Sequence, residues 1–210
     1  HTGTARAYTD IGLMTANPEV GEDVHRMFQQ LSGLAPSFKL NWLLQSPFTL
    51  HAAVLEKIGR EAALARAGKP ARIIAKMNAL NEPQVMRALY DASRAGASID
   101  LIVRGACSLR PGIDGVSHNI RVRSVVGRFL EHHRIFHFHA DGEDQMYLSS
   151  ADWMDRNFFR RIEIAFPVLD PRLKRRVMKE GLRPYLGDNC QAWDMQPDGK
   201  YRRKHARSIR

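Results

Sequence analysis

An arginine at the end of a predicted strand is the first candidate for phosphate chemistry. Arg104 ends the β-branched run 98–104 and leads into the Gly- and Pro-containing loop 105–112. A guanidinium matches two phosphate oxygens with parallel hydrogen bonds, and α/β sheets usually bind ligands at strand ends. Arg104 therefore indicates an anion site, and the alternative is an ordinary exposed arginine.

A histidine before a strand, followed by a turn of small polar residues, is the second candidate. His132 precedes the predicted strand 134–139, and Ser-Ser-Ala-Asp-Trp at 149–153 follows the next strand. The arrangement is similar to half of the active site of phospholipase D-like phosphotransferases. There a histidine attacks or protonates the phosphoryl group, while hydroxyl and backbone N–H groups hold the anion. The alternative is a structural or solvated histidine.

Three further histidines invite a metal interpretation. His133 adjoins His132, and His137 and His139 share one face of the predicted strand. A zinc site would need further ligands, and the sequence places no carboxylate or fourth ligand beside them. We therefore assign no metal position.

Two weaker candidates could contact a nucleotide. Tyr8, in the opening segment 4–13, could stack on a base, and Arg6 could reach a phosphate. Lys76 begins a polar cluster at 76–80 that follows a strand and is alternatively a helix cap. The sequence contains neither GxxxxGK[ST] nor GxGxxG, so side chains would have to hold any nucleotide phosphates.

The elements that position these residues follow from apolar periodicity and from Gly and Pro punctuation. The predicted helices cover 17–33, 49–67, 81–96 and 170–180. The predicted strands lie within 38–48 and at 72–76, 98–104, 120–126, 134–139, 146–149 and 161–168. One strand–helix–strand unit followed by a run of strands favours a mixed α/β fold over a doubly wound sheet.

Composition limits the partners and the compartment. A formal charge of +10 favours polyanions, and part of the excess lies in the basic tail 200–210, whose simplest interpretation is a frayed terminus. Apolar runs are interrupted by charge and no signal peptide is evident, so we expect a cytoplasmic protein, with association to an acidic membrane left open. Cys107 and Cys190 predict free thiols in a reducing compartment.

Several ordered blocks together resemble the polyphosphate kinase family. They are Thr-Ala-Arg-Ala-Tyr-Thr-Asp-Ile-Gly-Leu at 4–13, Ser-Pro-Phe-Thr-Leu at 46–50, Ala-Lys-Met-Asn-Ala-Leu at 75–80, Ile-Val-Arg-Gly-Ala-Cys-Ser-Leu-Arg-Pro-Gly at 102–112 and Gly-Arg-Phe-Leu-Glu-His at 127–132. The resemblance extends to about Gly187 and implies an α/β fold, a mixed-sheet phospholipase D-like domain flanked by helices. The implied domains are 1–45, the end of a first such domain, and 46–190, the second. Residues 191–210, which we predict to be a basic C-terminal tail, lie outside the resemblance.

The resemblance also implies an activity. In this family a histidine of the earlier domain is phosphorylated by ATP and passes the phosphate to polyphosphate. That histidine and the Mg²⁺ contacts match positions upstream of residue 4, so we expect a fragment that is inactive alone. By resemblance Tyr8 is the adenine-side contact, Arg104 the phosphate-binding arginine and His132 the second active-site histidine. The implied ligands are ATP or ADP, Mg²⁺ and polyphosphate, with no specific nucleic acid and a homo-oligomeric assembly.

Two other functions remain open from the sequence. A phospholipase D-like phosphodiesterase could use His132 as its acid, although Arg134 stands where such enzymes usually carry lysine. A basic nucleic-acid-binding domain would account for the net charge. Against it, the sequence lacks the clustered basic and aromatic stripes of a dedicated binder.

Overall fold

The helices begin and end at residues that the sequence marks clearly. The protein is described by a computed structural model over residues 6–34 and 39–204, together with Gly3. Helix α1 (Pro18–Leu31) is capped by Asn17, whose side chain accepts hydrogen bonds from two backbone N–H groups of the first turn. Helix α3 (Pro83–Ala95) is capped by Glu82 and ends at Gly96, whose φ of 106° suits glycine. Both helices confirm the prediction.

The other helical segments complete the set. They are α2 (Leu50–Arg66), a 3₁₀ turn (Ala140–Gly142), α4 (Asp155–Phe159), α5 (Pro171–Arg176), a π-helical segment (Val177–Leu182) and α6 (Arg183–Gly187). The last three follow one another without a break, and we call residues 171–187 the C-terminal helix. It is longer than the predicted helix, which stopped at residue 180. No described helix has the length and apolarity needed to cross a membrane.

Within residues 6–34 and 39–204, eleven strands form one large sheet and one small pair. They are β1 (Tyr8–Thr9), β2 (Leu44–Gln45), β3 (Arg72–Met77), β4 (Ser98–Val103), β5 (Ile120–Val125), β6 (Leu130–Glu131), β7 (Arg134–Phe138), β8 (Gln145–Ser149), β9 (Ile164–Pro167), β10 (Ala192–Met195) and β11 (Tyr201–Arg203). The large sheet has the order β11-β10-β5-β4-β3-β7-β8-β9-β2, and β1 pairs with β6. Strands β3, β4 and β5 are parallel and their partners antiparallel, which confirms the predicted mixed α/β fold.

The central strands bury both of their faces. Along β3, Ile73, Ala75 and Met77 pack into the core under α2 and α3, while Ile74 packs on the opposite side with the C-terminal helix. Side chains alternate between the two faces of a strand, so Arg72 and Lys76 share the face of Ile74. A lysine therefore lies inside the layer covered by the C-terminal helix.

The predicted basic tail, residues 191–210, is in part a pair of strands in the large sheet. Strand β10 pairs with β5 and then with β11, and Ala192 and Met195 are buried. The hairpin combines these buried residues with exposed charged ones such as Arg202 and Arg203, and charge counting alone does not reveal the strand pairing. Residues 205–210 lie outside the described residues, as do Thr4 and Ala5 of the opening block.

Candidate active site

The parallel pair β1–β6 brings two of the predicted site residues together. Tyr8 pairs with Leu130 and Thr9 with Glu131, so the following His132 donates its backbone N–H to the Thr9 carbonyl at 2.9 Å. The rings of Tyr8 and His132 then meet edge to face, with centroids 5.4 Å apart. Tyr8 is 47% exposed, which leaves its ring free to contact a ligand.

Arg104 reaches the same place from the carboxyl end of β4. Its Nη1 donates to the Glu131 carbonyl at 3.1 Å, and its own carbonyl accepts from Ser124 Oγ at 2.8 Å. The backbone of Arg104 is tied to β3 by its N–H, which donates to the Met77 carbonyl. Tyr8, Arg104 and His132, three residues far apart in sequence, therefore surround the short strand β6.

The side chain of His132 lies between an acid and a base. Its Nδ1 is 3.4 Å from Asp10 Oδ2 and 3.3 Å from Arg134 Nη1, and the side chain is 36% exposed. Arg134 in turn forms a two-pronged ion pair with Asp152, at 3.0 and 3.1 Å, in which both side chains are nearly buried. The guanidinium is thereby fixed in orientation beside the imidazole.

The Ser-Ser-Ala-Asp-Trp turn shapes the floor of the adjoining cleft. Ser149 Oγ donates to the Ile164 carbonyl, and Ser150 Oγ donates to Glu163 at 2.5 Å. The two hydroxyls therefore already have protein partners. The turn contributes to the site by shaping this cleft. The cleft has a volume of about 620 Å³, and its charged lining residues are Asp10, His132, Arg134, Arg161 and Glu163.

A half-buried carboxylate organises the strand that leads into His132. Glu131 Oε2 accepts a hydrogen bond from Thr9 Oγ1 at 2.7 Å and another from the Tyr185 hydroxyl at 2.5 Å, and it lies 3.6 Å from Lys76 Nζ. Burial alone would raise the pKa of the Glu131 carboxyl, but these hydrogen bonds and the lysine charge outweigh it and lower the pKa. Glu131 therefore links β1, β3, β6 and the C-terminal helix.

Lys76 is the most perturbed basic group of this region. It is 4% exposed, with Nζ 2.5 Å from His133 Nε2 and 3.6 Å above the Tyr185 ring centroid. Burial lowers the pKa of Lys76 to about 7, against the opposing effect of Glu131. Burial and the neighbouring lysine lower the pKa of His133 to about 4. A neutral imidazole whose Nε2 accepts a hydrogen bond from the lysine is the arrangement these shifts favour.

Sequence reasoning missed most of this network. Lys76 was noted only as the start of a polar cluster or a cap, although a lysine in the apolar strand Arg72–Met77 was an available signal. Glu131 lay inside a recognised block without a role of its own. Tyr185 had no local signal, because it comes from a helix more than fifty residues later.

The described residues hold no metal centre. No group of three His, Cys, Asp or Glu side chains within 6–34 and 39–204 is arranged to bind a metal ion. His137 and His139 instead both contact Asp144, at 3.0 and 3.3 Å, at the other end of the sheet from His132.

Two family models match different parts of the chain. Residues 43–209 match the model described as "Polyphosphate kinase C-terminal domain 2", and residues 1–37 match "Polyphosphate kinase C-terminal domain 1". The first of these matches alone covers more than half of the chain.

Curated relatives and solved structures agree with the family models. The chain is 63% identical to a polyphosphate kinase of Burkholderia multivorans over 98% of its length, and 64% identical to that of Paraburkholderia phytofirmans over 97%. A crystal structure of polyphosphate kinase from Porphyromonas gingivalis superposes with a TM-score of 0.89 at 40% identity over 94% of this chain and 30% of that one. Nuc of Salmonella typhimurium, a phospholipase D family member, superposes with a TM-score of 0.51 at 14% identity over 73% of this chain and 96% of that one, which shows the fold alone. The chain spans about 30% of the length of these curated relatives.

Proposed function

The chain belongs to the polyphosphate kinase family, and from that premise we propose that it is the C-terminal part of an ATP–polyphosphate phosphotransferase. The proposed reaction moves the terminal phosphate of ATP reversibly onto polyphosphate through a phosphohistidine that lies upstream of this chain. The observation that carries the proposal is the convergence of Tyr8, Arg104 and His132 on β6. These are the three positions that the resemblance gives to nucleotide and phosphate contacts.

The proposed roles follow from what each side chain can do. Tyr8 offers an exposed ring edge beside His132 and would contact the adenine side of the nucleotide. Arg104 would neutralise phosphate oxygens with its guanidinium. His132 would hold or move a proton on the phosphoryl oxygens, since phosphoryl transfer depends on positioning and charge stabilisation.

We further propose that the Glu131 network acts by position. The carboxylate fixes β6 to Thr9 and Tyr185, and the carbonyl of the same residue accepts the hydrogen bond of Arg104. One residue therefore sets the relation between the arginine and the histidine that follows it. Glu131 is in this sense a positioning residue, without contact to the transferred phosphate.

We propose that this chain contributes contacts to the nucleotide, whereas the contacts to Mg²⁺ come from another part of the protein. The exposed ring of Tyr8 and the cations Arg104 and Arg134 fit a nucleoside triphosphate such as ATP. When bound, Mg²⁺ supplies further charge neutralisation at the phosphates. We propose that its protein contacts lie upstream of this chain.

The extents and surroundings of the domain are also proposals. Separate family matches to 1–37 and 43–209 support a first phospholipase D-like domain that ends near residue 45 and a second one from residue 46. The pairing of β10 with β5 supports placing 191–204 with the second domain. A homo-oligomer in the cytoplasm remains our expectation from the resemblance.

The test measures transfer of ³²P from [γ-³²P]ATP to acid-insoluble polyphosphate. We expect transfer only when this chain is extended upstream to the length of its relatives, and we expect His132→Ala to abolish most of it in that longer protein. His118→Ala, at an exposed histidine, is the matched control and should keep wild-type transfer. Steady transfer by the 210-residue chain alone, or full activity of His132→Ala, would overturn the assignment.

The same preparation separates the alternative functions. A phosphodiesterase would hydrolyse bis(p-nitrophenyl) phosphate with the 210-residue chain alone. The structure gives little support to that function, because Arg134 is held by Asp152 in the place where lysine is usual. A nucleic-acid-binding domain would bind single-stranded DNA and polyphosphate equally and show no preference for ATP.

A further inference from the structure

A second basic cleft lies at the far end of the face that contains Lys76. It runs between the C-terminal helix and the ends of the central strands β3 and β7, at Arg72 and His137. Its volume is about 880 Å³. We call it the basic groove. Arg72 is four residues from Lys76 along β3, about 13 Å at the rise of a strand. The groove is therefore separate from the site around His132 but within reach of an extended ligand.

The C-terminal helix supplies most of the positive charge of the groove. Arg175, Lys179 and Arg183 are spaced four residues apart, which places them on one face of the helix. All three are exposed, and within the described part of the chain none of their side chains has a hydrogen bond or ion pair. Lys174 differs, because its Nζ donates to the Asp144 carbonyl at 2.7 Å.

The carboxylates of the groove are already engaged. Glu143 pairs with Arg60 at 3.3 Å, and Asp144 contacts His137 and His139. Five cationic side chains and these two carboxylates line the groove, so its excess charge is positive. An anion would meet unpaired cations along the helix and paired acids opposite them.

His137 adds an unsatisfied polar group to the wall of the groove. It is 4% exposed, its Nε2 lies 3.0 Å from Asp144, and its Nδ1 has no hydrogen-bond partner among the described residues. Buried polar atoms in folded proteins usually have partners, and those that lack one call for an explanation. Burial lowers the pKa of His137, and a neutral imidazole that donates its Nε2–H to Asp144 keeps Nδ1 as an acceptor. A water that donates to this nitrogen and bridges to a bound anion is therefore the kind of partner that it lacks.

The chemistry of the lining favours phosphate without bases. Among the described residues that line the groove there is no Phe, Tyr or Trp, and its two imidazole rings, those of His137 and His139, both contact Asp144. We propose that the basic groove binds a linear phosphate polymer at a second site, along the row Arg175, Lys179 and Arg183. The choice of polymer rests on the proposed function. A chain that occupies both places would be held near His132 at high effective concentration.

The experiment measures binding of fluorescently labelled long-chain polyphosphate to the 210-residue chain by anisotropy. The variant Arg175→Gln/Lys179→Gln/Arg183→Gln removes three charges from the groove. Arg66→Gln/Arg87→Gln/Arg94→Gln removes the same charge from exposed positions on α2 and α3, on the opposite face of the sheet. Gln keeps helix propensity in both, and circular dichroism checks their folding.

We expect the groove variant to bind at least about tenfold more weakly and to lose about one unit of salt slope for each lost phosphate contact. The control should bind within about twofold of wild type, because charges beyond a Debye length are screened. Tripolyphosphate should compete far less well than the long chain. Equal weakening in both variants would overturn the proposal, since it would mean attraction by net charge alone. Equal competition by oligo(dT) would overturn it in favour of a general nucleic-acid surface.

Two further measurements keep the outcome interpretable. If the triple variant fails to fold, Lys179→Glu, a single change at an exposed position, replaces it and should weaken binding while Arg87→Glu does not. Arg104→Ala tests independence, because polyphosphate should still bind the groove of this variant. Loss of binding in Arg104→Ala with none in the groove variants would refute the second site and leave the proposed function standing. If ³²P transfer fails in the extended protein but polyphosphate binding still depends on the groove residues, the proposed function would be refuted and the second site would stand.

Discussion

At the scale of single residues, the site depends on a lysine inside an apolar layer. Lys76 is almost fully buried, and its ammonium is offset by Glu131, His133 and the face of Tyr185. Burying a charge is costly unless it is paired and hydrogen-bonded, and the lowered pKa of Lys76 expresses that cost. Its surroundings therefore set the pKa of Lys76, and the free energy of unfolding should depend on pH as a result.

We expect a pH dependence of stability that Lys76→Met removes. Folded Lys76 loses its proton near pH 7, whereas the unfolded lysine keeps it until about 10.5, so between these values the unfolded chain binds more protons. The free energy of unfolding should therefore rise with pH in this window, by at most about 1.4 kcal/mol per pH unit. Urea denaturation at several pH values measures the slope.

The control for that experiment is Lys39→Met, at an exposed lysine, which should retain the wild-type slope. Comparing slopes between proteins cancels the contributions of tyrosines and cysteines that titrate at higher pH. A Lys76→Met slope equal to that of wild type would contradict the assignment of this window to Lys76.

The ion pair between Arg134 and Asp152 gives a second prediction at this scale. Both side chains are nearly buried, so Asp152→Asn leaves an uncompensated guanidinium and should lower the free energy of unfolding by roughly 3 kcal/mol. The exposed pair Arg176–Glu180 provides the control, and Glu180→Gln should leave the urea midpoint near that of wild type. Similar midpoints for the two variants would show that the buried pair is not coupled to folding.

At the scale of elements, the C-terminal helix closes the site because it can approach the sheet closely. A Cβ atom at Gly181 would lie 2.5 Å from Ile135 Cδ1 and 3.2 Å from Ile11 Cδ1. Glycine therefore allows the π-helical segment to press against β7, and this brings Tyr185 to Glu131. One missing side chain links the packing of the helix to the geometry of β6.

We expect Gly181→Ala to overpack this contact. Because the neighbouring isoleucine is fully buried and has little room to shift, the substitution should cost about 1–3 kcal/mol of unfolding free energy. Gly187→Ala, in the same helix, meets no atom within 4 Å and should cause no loss. Thermal unfolding of the two variants measures the difference, and equal midpoints would mean that the helix does not depend on this close approach.

At the scale of the whole molecule, one sheet joins segments that the sequence divided into three. Strand β2 comes from the predicted end of the first domain, β3, β4, β5, β7, β8 and β9 from the second, and β10 and β11 from the predicted tail. Shared backbone hydrogen bonds and a core that runs along the sheet are expected to make these segments unfold together.

Three tryptophans report on this cooperativity. Trp42 lies beside β2, Trp153 is in the core and Trp193 is in β10, next to the edge strand β11. We expect fluorescence of Trp42→Phe, fluorescence of Trp193→Phe and far-UV circular dichroism to give coincident urea transitions, because each variant silences one end of the sheet. An earlier transition that disappears with either substitution would show that the corresponding end unfolds as a separate unit.

The sequence by itself determined the local structure and the family. Asn17-Pro18, Glu82-Pro83 and Asp170-Pro171 mark helix starts because their side chains cap backbone N–H groups nearby, and Gly96 ends a helix through its own φ angle. Arg104 and His132 were recognisable because their neighbours in the chain form distinctive blocks. Local hydrogen bonding and short-range pattern need no knowledge of the rest of the molecule.

Only the tertiary structure decided which distant residues meet. Tyr8 reaches His132 through a two-residue parallel strand pair, and Tyr185 reaches Glu131 from a helix that crosses the sheet. Neither contact leaves a periodic trace in the sequence, and the burial that perturbs Lys76 exists only once the C-terminal helix covers its strand. Net charge did not predict the C-terminal hairpin either. The hairpin belongs to the sheet because β10 pairs with β5, a contact between segments far apart in the chain.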